Sequence, residues 1–213
     1  MPFYLTGGTA LGRFYLEHRF SEDLDFFTNS NSRYSEYISV LKKKIGEQFF
    51  VNLDASLFTE DFTRFFIVED DLSLKIELVN DVEYYSGEPA IFPFGLLDTP
   101  LNILANKLTA IVGRDEPKDV FDIVHIAQNY SFAWPEIFSH SKQKSVINEI
   151  DVEKRMVSFP VEWLENVHWL NQPVDMLSFK KSLQQIADDF LLGNINSMGI
   201  HRTPIESARP IIH

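Results

Sequence analysis

The chain has 213 residues, 45% of them hydrophobic, and a formal charge of −12 from 31 acids against 19 Lys plus Arg. That length suits one large domain or two small ones, and the acidic balance repels nucleic-acid backbones in general without forbidding a local basic groove. Cysteine is absent, which excludes disulfides and thiolate metal sites. With no run near the roughly 18 apolar residues of a membrane span and no signal-peptide pattern, the simplest expectation is a cytoplasmic protein with no membrane partner.

In chain order, Phe3 to Leu5 reads as a short strand entering Thr6-Gly7-Gly8. Thr9 is placed to cap a helix to about His18, with Leu11, Tyr15 and Leu16 on its apolar face. Asp23 to Thr28 reads as a strand and Arg33 to Gln48 as a helix, with Tyr34, Tyr37, Ile38, Leu41 and Ile45 at helical spacing. Phe49 to Phe58 is strand-like. Arg64 to Val68 and Leu72 to Val79 read as a hairpin turned at Glu69-Asp70-Asp71. The Pro- and Gly-containing stretch around Gly87-Glu88-Pro89, up to Gly95, reads as a linker or crossing loop. Helices are then expected from Asp98-Thr99-Pro100 to about Gly113, from Glu116-Pro117 through Ala127, and over Trp134 to Lys144, Val146 to Val157 and Met176 to Leu192. Asn194 to His213 lacks periodicity and reads as an extended tail. The expected fold class is therefore α+β: a mixed-sheet domain over residues 1–95, then a mostly helical domain over 96–213 that completes a cleft.

Two carboxylates interrupt the apolar opening. On a strand, Asp23 and Asp25 share a face while Leu24 and Phe26 take the other. Carboxylates so close repel each other unless a cation joins them, and a divalent metal such as Mg2+ or Mn2+ prefers oxygen ligands. The same spacing recurs at Glu69/Asp71, Asp81/Glu83 and Asp151/Glu153, where solvation of turns or helix surfaces is the expected role. Only Asp23-Leu24-Asp25 follows a Gly-Gly turn and a helix. That turn has neither the Lys-Ser/Thr ending of a P-loop nor a G-x-G-x-x-G, yet Gly permits close backbone approach to an anion. A third acid, Glu77, stands among the β-formers of Leu74 to Val79; taken alone it reads as the solvent side of an edge strand. Lys42-Lys43-Lys44 reads as a solvated helix surface. No H-E-x-x-H or G-x-S-x-G is present.

Gly7-Gly8, then Asp23-Leu24-Asp25, then Glu77 resemble the signature of the DNA polymerase beta-like nucleotidyltransferase superfamily. More narrowly, Leu5-Thr6-Gly7-Gly8-Thr9-Ala10-Leu11, His18 to Phe27, Asn106-Lys107-Leu108-Thr109-Ala110, Arg114 and Lys118-Asp119-Val120-Phe121-Asp122-Ile123 resemble the nucleotidyl transferase AbiEii/AbiGii toxin family. The resemblance implies transfer of a nucleotide from an NTP to an acceptor hydroxyl, with Asp23, Asp25 and Glu77 as catalytic metal ligands. It implies that Gly7, Gly8, Thr9, Lys107 and Lys118 bind the nucleotide, with Arg19, Ser21, Arg114, Asp119 and Asp122 as support. Read without it, Lys107 is an ordinary exposed helix lysine and Lys118 and Asp122 a surface pair four residues apart. The implied acceptor is a tRNA or other RNA, or a protein hydroxyl, and the implied partner an antitoxin. Members often carry a helix ahead of the Gly-Gly strand, so a shortened N-terminus is expected to leave apolar surface uncovered. The alternatives are a non-catalytic nucleotide- or partner-binding relative, and a nucleotidyltransferase acting on a small molecule such as an antibiotic.

Overall fold

The computed structural model describes residues 1–212. The fold is α+β, as expected. Strands β1 (Tyr4–Thr6), β2 (Leu24–Asn29), β3 (Phe50–Val51), β4 (Leu57–Phe58), β5 (Phe62–Glu69), β6 (Leu72–Asp81), β7 (Ala90–Phe92) and β8 (Gly95–Leu97) form one mixed sheet. Its order is β3-β5-β6-β2-β1-β8-β7, with β4 also paired to β5. The predicted hairpin is β5–β6, antiparallel from Phe62↔Val79 to Glu69↔Leu72. Beyond it, β6 runs parallel to β2, and this pairing sets Asp25 directly against Glu77. Glu77 is therefore on an interior strand, which corrects the edge-strand reading.

Helix α1 (Gly7–Leu11) begins at the glycines themselves and passes into a π-helical turn over Gly12–Leu16. Thr9 thus lies inside the helix instead of capping it. Its hydroxyl donates to the Asp23 carbonyl, tying the turn to the start of β2. Helix α2 (Tyr34–Gln48) covers the sheet through Tyr34 and Ile38, which pack on Phe65 and Leu78. Strand-like Phe49 to Phe58 breaks into the two-residue β3 and β4. The stretch read as a linker contains the β7–β8 hairpin, and β8 extends the sheet by pairing parallel to β1.

Helices α3 (Pro100–Gly113), α4 (Pro117–Asn129), α5 (Trp134–Lys144), α6 (Glu149–Val157) and α7 (Met176–Leu191) build the second half. The first two start as the sequence signals: Thr99 and Glu116 cap, each followed by Pro at the first helical position, where no N–H is needed. The largest core is shared, because Leu5, Leu11, Tyr15 and Leu97 from the first half pack with Leu104, Ile123, Trp134 and Ile186. The C-terminal stretch packs rather than trailing free. Thr203–Pro204 pairs with Tyr130–Ser131, Ile205 is buried, and the Ile211 N–H donates to the Phe14 carbonyl.

Candidate active site

A cleft of about 500 Å³ lies between the sheet and α3. Gly7, Gly8, Asp25 and Glu77 line one side, Asn106, Lys107 and Arg114 the other. Six of these are expected site residues, with Asn106 from the same motif as Lys107, and they come from segments up to 107 positions apart.

The sheet wall is acidic. Asp25 makes no ion pair among the described residues, and burial followed by the neighbouring Glu77 charge raises its carboxyl to about 6. Glu77 accepts from Arg64 Nε at 2.7 Å and lies 3.6 Å from Lys75 Nζ. Asp23 is tied to the same lysine, its Oδ2 2.9 Å from Lys75 Nζ. One ammonium therefore bridges the first and third acids. Asp23, Asp25 and Glu77 stand against Lys75 and Arg64, three negative groups and two positive.

Gly7 shapes this wall. Its φ of +68° belongs to the left-handed region, and a Cβ there would lie 2.5 Å from Asp25 Oδ2. Gly8 has a different reason: its Cβ would lie 2.1 Å from Arg19 Nη2. The Gly-Gly pair admits a carboxylate on one side and a buried guanidinium on the other.

Behind the helix wall runs a buried ion network. Arg19 donates to both oxygens of Asp122, from Nε at 2.6 Å and Nη2 at 2.8 Å. His18 Nε2 is 2.8 Å from the same carboxylate. Lys107 Nζ bridges Asp122 at 2.8 Å and Asp119 at 2.6 Å, and Arg114 closes the chain on Asp119 at 2.7 and 3.0 Å. Burial alone would raise both carboxyls, but Lys107 leads a set of cations that holds Asp119 below the usual range and Asp122 well below it. Lys107 is desolvated too, yet the two carboxylates keep its ammonium charged. Arg19, Lys107 and Arg114 against Asp119 and Asp122 leave this wall with one net positive charge. Lys107 is thus not an exposed helix lysine, and no Lys118–Asp122 pair exists among the described residues. Lys118 stays outside the cleft, its ammonium 6.0 Å from the Trp169 ring centroid.

Thr9, Arg19 and Ser21 line a neighbouring cavity of about 430 Å³ that meets the cleft at Gly8. Asp23 is not on the cleft lining. Two charged lining residues are not among the expected site residues: Asp81, read as a solvated turn charge, and Lys144, at the C-terminus of α5. Nothing local marks Lys144, since helix-terminal lysines are common; only the packing of α5 brings it in.

The all-oxygen acid set of the sheet wall suits a hard divalent cation. Asp25, an acid without an ion-pair partner and raised by burial, is the position where added positive charge is best accommodated. Among the described residues, however, no three His, Asp or Glu side chains stand together as a ready-made metal cage. Of the three expected ligands, Asp25 and Glu77 line the cleft, and Asp23 lies off its lining, paired with Lys75.

A glycine turn, facing carboxylates on adjacent parallel strands and a cationic helix wall define a nucleotidyltransferase-type fold. Solved structures agree: JHP933 from Helicobacter pylori has 23% identity and a TM-score of 0.59 over 90% of this chain and 84% of its own. A putative nucleotidyltransferase from H. pylori has 22% identity and a TM-score of 0.59 over 90% and 87%. MenT4, a nucleotidyltransferase toxin from Mycobacterium tuberculosis, has 17% identity and a TM-score of 0.55 over 89% and 75%. No curated protein matches the sequence. The family model for the nucleotidyl transferase AbiEii toxin of type IV toxin–antitoxin systems matches residues 1–142, and the chain belongs to that family. No helix among the described residues is long and apolar enough to cross a membrane.

Proposed function

We propose that the protein transfers a nucleotidyl group from an NTP to an acceptor hydroxyl in a divalent-metal-dependent reaction in this cleft. One observation carries the reading: the Asp25–Glu77 pair on β2 and β6 faces a wall of net positive charge across the Gly7-Gly8 turn. The acceptor oxygen attacks the α-phosphorus, the bond from that phosphorus to the bridging oxygen breaks, and pyrophosphate leaves. The acceptor's proton goes to Glu77, which lies beside Asp25 on the neighbouring strand. Asp25, with Glu77 and Asp23, would hold Mg2+ or Mn2+. When bound, such an ion neutralises the attacking and leaving oxygens. Arg114 and Lys107 supply the positive field for the phosphates, and Gly7 and Gly8 let the chain backbone approach them.

For the acceptor, the reading takes the hydroxyl of a tRNA, another RNA or a protein. It adds an antitoxin as biological partner, supported by the toxin family to which the chain belongs. The test is calorimetric binding of NTPs with Mg2+ or Mn2+, followed by transfer from α-labelled NTP, for wild type and Asp25→Asn. Metal-dependent binding, with transfer reduced about 10³-fold or more in the variant, is expected, since removing a charge-stabilising group at a reacting phosphate costs several kcal/mol. Binding indifferent to both metal and Asp25 would falsify the reading.

A further inference from the structure

The floor of the cleft continues past its acids. On β6, Glu77, Val79 and Asp81 share a face, and all three line the cleft. In register beside Val79 stand Phe27 on β2 and Phe62 on β5, so an apolar strip separates the Asp25–Glu77 pair from Asp81. The four residues from Glu77 to Asp81 span ~13 Å at the usual rise of a strand. At the far end Lys144 reaches in from α5.

Lys144 is an unusual lysine. Its side chain is 3% exposed, yet its hydrogen-bond and ion-pair partners among the described residues are the Asp81 carboxylate at 3.9 Å and the Tyr84 carbonyl at 3.3 Å, with the Tyr84 and Tyr85 ring centroids each 6.0 Å away. Burial pushes its ammonium down, against Asp81 and Asp98, which hold it up. The other cleft cations, Lys107 and Arg114, are held at 2.6–3.0 Å by Asp119 and Asp122. An ammonium has three donors, so Lys144 retains hydrogen-bonding capacity in a desolvated position, next to a carboxylate that only accepts. Such a pair, donor beside acceptor, complements the edge of a nucleobase, which carries an acceptor beside a donor. The aromatic strip between is suited to the face of a base.

Length argues for the base over the phosphates. With the α-phosphate at Asp25 and Glu77, the two remaining phosphates fall short of Asp81, whereas a ribose with its base spans the strip.

We propose that Asp81 and Lys144 read the nucleobase edge, over Phe27 and Phe62, and so set which NTP the protein takes. This rests on the nucleotidyl-transfer reading above.

The experiment is a calorimetric panel of ATP, GTP, CTP, UTP and inorganic tripolyphosphate, each with Mn2+. It uses the full chain as wild type, Asp81→Asn, Lys144→Met and Lys144→Arg, with melting curves to confirm folding. Wild type is expected to prefer one NTP at least about tenfold, the contrast that a polar site gives against a base lacking the matching group. In the first two variants that preference is lost while tripolyphosphate binds as before. Lys144→Arg keeps charge and bulk, so it covers the case of a methionine variant that unfolds: it alters the preference and leaves tripolyphosphate binding alone. Equal losses for all four NTPs and tripolyphosphate would make Lys144 a phosphate contact and overturn the proposal. So would an unchanged preference in folded variants, or a wild type that binds all four NTPs alike through Asp25. A wild type that binds no NTP with metal overturns the transfer reading itself, and this proposal with it.

Discussion

On the sheet wall, Asp25 carries a carboxyl without an ion pair, raised to about 6. On the helix wall, Asp119 and Asp122 are buried more completely still, but sit among Arg19, Lys107 and Arg114, which hold them low. The residue type is the same; the local count of charges differs. Where each buried charge has geometrically matched partners, removing one leaves the others stranded, and the group serves the fold. Where a carboxylate is left short of positive charge, the metal-free protein is less stable for it, and added positive charge is favoured there.

The most severe way to break that contrast is on the helix wall. Asp122→Ala strands Arg19 and Lys107 and is expected to cost about 3–5 kcal/mol of stability, as for a broken buried ion pair; urea unfolding measures it. Unchanged stability would mean that the network is not structural. Gly8→Ala approaches the same network from the turn. Its Cβ would meet the Arg19 guanidinium at 2.1 Å, so a loss of about 1–3 kcal/mol is expected from overpacking. Arg19→Lys in the same background, with its slimmer head group, should recover part of it.

The sheet wall should respond with the opposite sign. The unfolded chain ionises Asp25 near 3.8 and the folded chain near 6. Between these values the folded state holds the extra proton, so Asp25 lowers stability as pH rises from about 4 to 6, and the loss persists above. Asp25→Asn should therefore stabilise the metal-free protein by about 2 kcal/mol at pH 7.5, discounted for partial exposure, and by nearly nothing at pH 3.5. Asp119 and Asp122 follow the other rule: their folded values are depressed, so their contribution is complete above about 3.8 and is lost as pH falls through and below it. Melting temperatures across pH for wild type and Asp25→Asn separate the two. A variant that is less stable than wild type at pH 7.5 would sink the idea of an under-compensated acid. The smallest effect sharpens the boundary of the site. Lys118, outside the cleft lining, should be replaceable by Ala with a change of about 0.5 kcal/mol or less in stability and in NTP binding; a large binding loss would bring it back as a phosphate contact.

Much of the molecule was legible in the residues because local rules carried it. The period-two runs of β2, β5 and β6, and the Thr99-Pro100 and Glu116-Pro117 starts of α3 and α4, are set by side chains within a turn or a strand of one another. Gly7-Gly8 and Asp23-Leu24-Asp25 could be read as one neighbourhood for the same reason, since a short helix and a turn join them. The errors fell where the deciding partner is distant in sequence. Glu77 looked like an edge-strand charge because nothing in β6 announces that β2 pairs on its other side. The stretch up to Gly95 looked like a linker because nothing local announces the β7–β8 hairpin or the pairing of β8 with β1, which outweigh its weak local preference. Lys107 looked like a surface lysine until the packing of α4 on α3 brought Asp119 and Asp122 to it.

By itself, then, the sequence determined the main helices and the long strands, the α+β class and the family-bearing residues, because periodicity, caps and turn chemistry act over a few residues. Only the tertiary structure decided which charges are settled and which are not. Coulomb energy and desolvation depend on distance and burial, and those join Asp25 to Glu77, Arg19 to Asp122 and Lys144 to Asp81 across 52, 103 and 63 positions of chain.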